Sequence, residues 1–462
     1  MITYEDLLKV GENEQDRMTF IQTAISKHKS SAEYRYAVDA QLYYNGENPT
    51  ITRYEKIIYD SMGRAHVDMW TANHKIASNF FPFVIDQEVG YLLGNGVRFA
   101  KDGTKKKLGN DFDEQMQDAT QAARVCGKAY CFWNLDHVEI FSLLEFVPLL
   151  GEETGALMAG IRFWQLDEQK PLRATLYELD GYTEYIKRQG ENMTVMYDKQ
   201  KYIKTVVKSE ADGSIVTDER NYDGFPIVPL YSNKQKKSAL VGKRNTIDAL
   251  DLASSNMVNN VDEGNLIYWV LTNCGGMDDM DDAQFMARLK TLHVAHADGD
   301  AGAKAEAKSI EAPFEGTKVT IDMLINRLYD DFQAFNSAAV TAANQSATAI
   351  KASYVPLDLK ADSIERQVTR CINGILELAG IDDKPTYTRN QIINKTEETQ
   401  RIIMQAQYFD DEYIRKSLLT VNGDLDQYEE ITKRLDAEDS ERLKNAEDRI
   451  PNENSEQEEA DA

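Results

Sequence analysis

Residues 317–380 constrain the chain most: they read as a helix, a run of small residues, then a longer helix. The hydroxyl residues Thr317 and Thr320 open the first helix. Val319, Met323, Leu324, Leu328, Phe332 and Phe335 then recur near helical spacing, which predicts a helix over 317–335. The run that follows, Asn336-Ser337-Ala338-Ala339-Val340-Thr341-Ala342-Ala343-Asn344-Gln345, holds nothing large enough to anchor a core. From Ser346 and Thr348 a second helix is predicted through Ile364, Val368, Ile372, Ile375 and Leu376 to Ala379, with Gly380 as its end. Pro356 lies inside it. Proline removes an i to i−4 hydrogen bond and clashes with the preceding turn, so a kink is expected near Tyr354. A small-residue loop ahead of a kinked helix is not how an enzyme presents a nucleophile; it suits a mobile segment beside something large.

The rest of the chain is long enough for about three domains at roughly 150 residues each, and with 42% apolar residues a core is available. No apolar run reaches the roughly 18–20 residues of a membrane span. The start, Met1-Ile2-Thr3-Tyr4-Glu5-Asp6, lacks a basic stretch followed by an apolar one, which argues against secretion. Cys126, Cys131, Cys274 and Cys371 match no zinc spacing and form no disulfide framework; they read as buried thiols in a reducing compartment. The net charge of −25 repels phosphate overall. High-affinity duplex binders usually rely on basic patches, so this balance leaves local contact with DNA, or DNA passing without being held. Simple solubility is the plainer account of the same charge.

Residues 1–85 read as mainly helical, with segments from Thr19 and from Ser31 to Tyr44, a turn at Gly46-Glu47-Asn48-Pro49, and a strongly apolar helix over 74–93 that Pro82 divides. Val97-Arg98-Phe99 is extended. After a helix over 111–127 the period changes, and residues 129–133, 138–141, 159–164, 173–179 and 183–186 read as strands of an antiparallel meander, closed by an extended edge at 224–230. Helix returns at 244–263, where Ile247, Leu250, Ala253, Met257 and Val261 make a stripe. Residues 265–316 read as a small α/β insert with strands at 266–271 and 292–295 and an exposed, mobile span at 297–308. Helices are expected at 396–408, 411–419 and 424–443, and the acidic end from residue 445 has too few apolar residues to order itself.

This order of parts resembles the portal proteins of tailed bacteriophages, most closely the type common in long-tailed phages of Gram-positive bacteria. The resemblance covers about residues 30–435. It rests on Tyr43-Tyr44-Asn45-Gly46-Glu47-Asn48-Pro49, on Asn73-His74-Lys75-Ile76-Ala77-Ser78-Asn79-Phe80-Phe81 with Val84-Ile85-Asp86-Gln87 and Gly90-Tyr91-Leu92-Leu93-Gly94, on Gly224-Phe225-Pro226-Ile227-Val228-Pro229 followed by Ile247-Asp248-Ala249-Leu250-Asp251 and Ser255, and on Tyr354-Val355-Pro356-Leu357-Asp358-Leu359-Lys360-Ala361. Where the family often has a Ser-Gly pair ahead of its long helix, Gln345-Ser346-Ala347-Thr348 stands here.

The resemblance implies an α+β portal fold: a mixed α/β wing (1–243), stem helices (244–264 and 317–335), a small α/β clip (265–316), a channel loop (336–347), a long kinked helix (348–379), a helical crown (380–437) and an acidic tail (438–462). It implies a dodecameric homo-oligomer at one capsid vertex of the virion, assembled in the host cytoplasm, through which double-stranded DNA is packaged and ejected. Its partners would be the terminase large subunit, the head-tail adaptor, and the major capsid and scaffolding proteins, with no membrane. The candidate channel loop is Ser337, Ala338, Ala339, Val340, Thr341, Ala342, Ala343 and Asn344. Candidate acidic channel-lining residues are Asp322, Asp330 and Asp331 on one stem helix and Asp248, Asp251, Asp262 and Glu263 on the other, with ordinary solvated helix faces as the plainer account; like charge on wall and DNA would lower friction.

Enzymatic chemistry finds little support. No Gly-x-x-x-x-Gly-Lys-Ser/Thr or Gly-x-Ser-x-Gly motif occurs, and Gly94-Asn95-Gly96 is a turn rather than a dinucleotide fingerprint. Asp278-Asp279-Met280-Asp281-Asp282 lacks the alternating ligands of a calcium loop, and His293 with His296 lacks a second ligand pair. No catalytic residue, metal or cofactor is therefore expected. The alternatives are another oligomeric structural or scaffolding protein, and a metal-dependent DNA enzyme, for which no carboxylate constellation stands out.

Overall fold

The computed structural model describes residues 2–59, 62–69, 71–101, 103–208, 215–264, 268–272, 304–308, 314–338, 347–390, 395–422, 428, 430–435 and 437. The fold is α+β and divides into two units, Met1–Asn390 and Gln391–Ala462. In the first unit the chain opens with helices α1 (Tyr4–Val10), α2 (Glu14–Lys29), α3 (Ala32–Tyr44) and α4 (Pro49–Thr52), followed by a hairpin of β1 (Ile57–Tyr59) and β2 (Ala65–Val67). Next come α5 (Phe80–Leu93), β3 (Val97–Phe99), α6 (Thr104–Leu108) and α7 (Phe112–Cys126). A β-rich stretch holds β4 (Lys128–Asn134), β5 (His137–Ser142), β6 (Phe146–Leu150), β7 (Leu157–Trp164), β8 (Leu172–Glu178), β9 (Gly181–Lys187), β10 (Thr194–Gln200), β11 (Ile203–Lys208), β12 (Ile215–Arg220) and β13 (Ile227–Tyr231). Then follow α8 (Arg244–Gly264), β14 (Tyr268–Thr272), β15 (Lys304–Lys308), α9 (Phe314–Phe332), α10 (Ala347–Ser353), α11 (Val355–Leu378) and β16 (Pro385–Tyr387). The second unit contains α12 (Lys395–Gln405) and α13 (Asp411–Asn422).

The strands expected as one meander form two sheets. Strands β6 to β10 are the meander, five strands antiparallel in sequence order, while β4 pairs with β5 on one side and β13 on the other. Strand β4 explains the arrangement. Successive side chains of a strand point to opposite faces, and here both faces are buried. Ala129, Cys131 and Trp133 pack with Phe112, Met116 and Ala119 of α7 and with Val368, Cys371 and Ile372 of α11. Tyr130 and Phe132 instead join Phe141, Phe146, Tyr177 and Tyr202 in an aromatic cluster. Hence Cys126, Cys131 and Cys371 are buried, as their apolar surroundings require. Strand β13, carrying Pro229, lies at the sheet edge, where a residue without an N–H is tolerated. Helices α1 and α2 cover the meander through Leu7, Met18, Ile21 and Ile25, which pack on Ile161, Phe163 and Leu176.

Several expectations change. The helix expected over 74–93 begins only at Phe80 and places Pro82 in its first turn, where the missing N–H costs no hydrogen bond. Residues 1–85 are mainly helical as expected, with one hairpin, β1 and β2, added. The partner of β14 is β15 at 304–308, inside the span expected to be exposed and mobile; the strand expected at 292–295, the acidic run 278–282, His293, His296 and Cys274 lie outside the described residues. Helix α9 starts at Phe314 and ends at Phe332, three residues earlier at each end than expected. The long helix is two helices interrupted at Tyr354, with Pro356 in the first turn of α11. The start of the expected helical crown is extended instead: β16 pairs with β3, Thr386 opposite Arg98. Of the helix expected at 424–443, residues 428, 430–435 and 437 are described and helical, and the tail 438–462 lies outside the described residues.

Candidate functional site

The candidate site is built on α8 and α9, which pack against each other, and on the two ends of the small-residue run. Helix α8 is held along one polar face. The backbone N–H of Ser78 donates to Asp251 Oδ1 (3.0 Å), that of Ile76 to Ser255 Oγ (2.9 Å) and that of His74 to Asn259 Oδ1 (2.7 Å). The matching repeat is geometric. Two residues of extended chain advance about 6.6 Å, close to the about 6 Å of four helical residues, so every second amide of 74–78 meets one turn of α8. These amides are therefore satisfied without helix, which is why the predicted helix is absent there.

Two of the acidic residues of α8 are engaged near the same ladder. Asp251 is 1% exposed and also accepts from Asn48 Nδ2 at 2.7 Å; burial raises its carboxyl above the usual range, against the lowering effect of those donors. Asp248 accepts from the Tyr43 hydroxyl and from Asn48 Nδ2 (3.1 Å). Burial, helped by that carboxylate, pushes the Tyr43 hydroxyl up to about 12, so it stays a donor. Both aspartates therefore clasp the turn at 43–50, Asp251 buried and Asp248 partly buried. Asp262 is exposed but bound to His74 Nε2. On α9, Asp322 and Asp330 are exposed, and Asp331 stands 3.6 Å from Arg327 Nε. The side chain of Glu263 lies outside the described residues.

The inner end of α9 is anchored by aromatic contacts. Leu328 and Phe332 are fully buried, Phe332 lies 6.1 Å from the Phe81 ring, and Tyr329 meets the Phe80 ring edge-on at 5.1 Å. Beyond it the chain is captured at Phe335. The Gln87 side-chain amide donates to Phe335 O and accepts from Phe335 N, each at 2.9 Å, as a strand partner would. The Phe335 ring stacks on Tyr354 (4.1 Å between centroids, 9° between planes), and Tyr354 stacks on Tyr91 (5.8 Å, 13°). Tyr91 in turn donates to Asp358 on α11. Thus the residue before the small-residue run and the residue at the helix break are locked face to face. Of the run itself, Ser337 and Ala338 are exposed and helical, while Ala339, Val340, Thr341, Ala342, Ala343 and Asn344 lie outside the described residues.

Sequence reasoning missed this clamp. Its available signal was Gln87 and Tyr91, four apart on one helix and thus on one face.

Beside the clamp lies a buried ion pair. Arg124 donates from Nε to Glu88 Oε2 (2.7 Å) and from Nη1 to Ser232 O (3.1 Å) and Oγ (2.9 Å). Lys243 and Lys360 point into the same region. Burial lowers both ammonium pKa values, Lys360 to about 8; Glu88 opposes this for Lys360 while Arg124 and Lys243 add to it. The folded chain thus binds the Lys360 proton less tightly than the unfolded chain, whose value is 10.5. The charge costs stability in full below pH about 8, and the cost fades as pH rises to 10.5. Lys360→Met is expected to stabilise the fold by about 1–2 kcal/mol at pH 7, allowing for partial solvent access. The gain should vanish above pH 10.5, as read from urea midpoints across pH; a destabilised variant at pH 7 would refute the assignment.

Among the described residues no group of three His, Cys, Asp or Glu could hold a metal ion, and no helix is long and apolar enough to cross a membrane. The family described as phage portal protein, SPP1 Gp6-like, matches residues 24–444. Two similar proteins are each named portal protein. One, from Clostridium phage phiCD119, is 24% identical over 400 residues, covering 80% of this chain and 85% of that protein. The other, from Bacillus phage SPP1, is 23% identical over 419 residues, covering 83% and 79%.

Proposed function

The chain belongs to the SPP1 Gp6-like phage portal protein family, and from that premise we propose that copies of it close into a dodecameric ring at one capsid vertex, with double-stranded DNA passing through the ring on packaging and ejection. A phage portal protein is a structural component of the virion rather than an enzyme. In this reading α8 and α9 are the stem and the run 336–347 is the channel loop. The insert 265–316 meets the terminase large subunit and later the head-tail adaptor, the wing meets major capsid and scaffolding proteins, and the crown begins after residue 390 rather than at 380.

The observation that carries this reading is the division of faces on α9. Leu328 and Phe332 root it in the core, while Asp322 and Asp330 stand in solvent. Val319 and Met323 are exposed by 65% and 59% on the same helix. Apolar side chains of that size suit burial against the next copy in a ring.

Electron microscopy and native mass of the purified protein test the ring: closed rings of about a dozen copies support it, and a monomer that cleaves DNA with magnesium would replace it by the enzyme reading. The channel face has its own test. The DNA duplex carries a negative charge every ~1.7 Å, and a charge within a Debye length of about 8 Å acts on it. Reversing Asp322, Asp330 and Asp331 to lysine should slow packaging at least about tenfold, with relief at high salt. Packaging at the unmodified rate would remove these side chains from the channel wall.

A further inference from the structure

A cavity of about 380 Å³ lies between the 232–243 segment, the end of α9 and the first turns of α11. Its wall carries four cations, Arg124, Lys237, Lys243 and Lys360, and no Asp or Glu. Two carboxylates act on the cations from outside the wall: Glu88, which sits behind Arg124 and offsets it, and Asp331, whose charge favours the Lys243 ammonium. Among the described residues no ion pair is formed by the ammonium groups of Lys237, Lys243 or Lys360; Lys243 rests over the Phe332 ring at 5.1 Å. Arg124 is 2% exposed, and its Nη2 has no aligned hydrogen-bond acceptor although Glu88 Oε2 is 2.7 Å away. Neutral donors line the same wall. Ser232 Oγ accepts from Arg124 and from Asn233, which leaves its own proton to donate, and Ser363 faces the cavity from α11.

Unbalanced cations gathered in a half-enclosed space repel one another, and in a chain of net charge −25 they are the exception. We propose that this cavity binds a small oxyanion of the phosphate class, held by Arg124, Lys243 and Lys360 and by the Ser232 and Ser363 hydroxyls. A tetrahedral oxyanion has several strong acceptor oxygens and more than one negative charge, matching a wall that carries four cations and no carboxylate. The space is large enough for the ion with waters around it. Gln333 and Lys360 lie at the ends of α9 and α11 nearest the Phe335–Tyr354 stack, so a bound ion ties together the two segments that frame the small-residue run. The lowered Lys360 pKa agrees with a cation whose counter-charge is supplied from outside. The inference stands independently of the channel reading, since it needs only this cavity.

The test uses the full chain with inorganic phosphate as the probe. Thermal midpoints and isothermal titration are recorded in sodium phosphate and in sodium chloride of equal ionic strength at pH 7. Phosphate is expected to raise the midpoint beyond chloride. Lys360→Met and Lys243→Gln should each weaken phosphate binding about tenfold, the loss of one charge-assisted contact. Lys360→Met is expected to fold at least as well as the parent, so its loss of response cannot be misfolding. Lys234→Gln, a nearby exposed lysine outside the cavity wall, should leave binding unchanged. A short DNA duplex is added in competition: displacement of phosphate identifies nucleic-acid phosphate as the source, and no displacement identifies the free ion. No shift beyond chloride, or an equal shift in the parent and both cavity variants, overturns the proposal.

Discussion

Glu88→Ala is expected to lower folding stability by about 3–5 kcal/mol, because it leaves the Arg124 guanidinium buried without its counter-ion. Glu88 is 0% and Arg124 2% exposed, so water cannot take over from the carboxylate. The surroundings make the loss worse than for an isolated pair. Lys243 and Lys360 already have their ammonium groups pushed toward neutrality by burial; Glu88 opposes this in both, and Asp331 opposes it at Lys243 as well. The pair also joins three parts of the chain: α5 through Glu88, α7 through Arg124, and the segment leading to α8 through Ser232. Its loss should therefore loosen the root of α8 as well as the core. Urea unfolding of Glu88→Ala, Arg124→Met and the double variant Glu88→Met with Arg124→Met gives the test. The double variant should recover most of the stability, since an apolar pair needs no counter-charge. A loss below about 1 kcal/mol in Glu88→Ala would show that the pair is solvated in solution.

Much of this was legible before the structure, for reasons that can be located. Helix α8 was predicted from its stripe because Ile247 and Leu250 are buried at helical spacing. The break at Tyr354 coincides with Pro356, whose effect is local and needs no tertiary knowledge. What failed was decided by distant partners. Ile76 continues the apolar spacing of the helix that follows, yet the amides of His74, Ile76 and Ser78 are taken by Asn259, Ser255 and Asp251, more than 170 positions away. The polar spacing of those three residues on α8 was visible, but their acceptors had no visible donors. The division of the strands into two sheets is also a matter of distant partners: β5 ends its sheet at an edge instead of pairing with β6, and β13, nearly a hundred residues on from β4, completes that sheet on the other side. Likewise the charge of Asp248 and Asp251 was readable while its direction was not. A carboxylate on an amphipathic helix looks alike whether it faces solvent or an Asn48 amide.

The largest functional effect is expected from Tyr354→Ala. Tyr354 is 5% exposed and is the middle ring of the stack, with Phe335 on one face and Tyr91 on the other. Truncating a buried aromatic side chain to alanine costs about 3–5 kcal/mol through lost burial and the cavity left behind. Here the cost falls on a single junction. The α9 side of the small-residue run is held by Phe335, the α11 side by Tyr354, and each is the other's packing surface. Gln87→Ala attacks the same junction differently, removing two hydrogen bonds to the Phe335 backbone and costing about 1–3 kcal/mol. Because both variants act on Phe335, their combined effect should fall short of the sum. Hydrogen exchange should rise in residues 333–360 in both variants and stay unchanged in the β6–β10 meander, whose buried side chains belong to other apolar clusters than the stack. If the run 336–347 steers DNA, packaging should fall at least about tenfold in Tyr354→Ala while rings still assemble, since a loop with a loose base loses its fixed position. Unchanged exchange at 333–360 would mean the stack does not hold the junction. Raised exchange with undiminished packaging would separate the junction's order from DNA passage and remove the run from the channel reading.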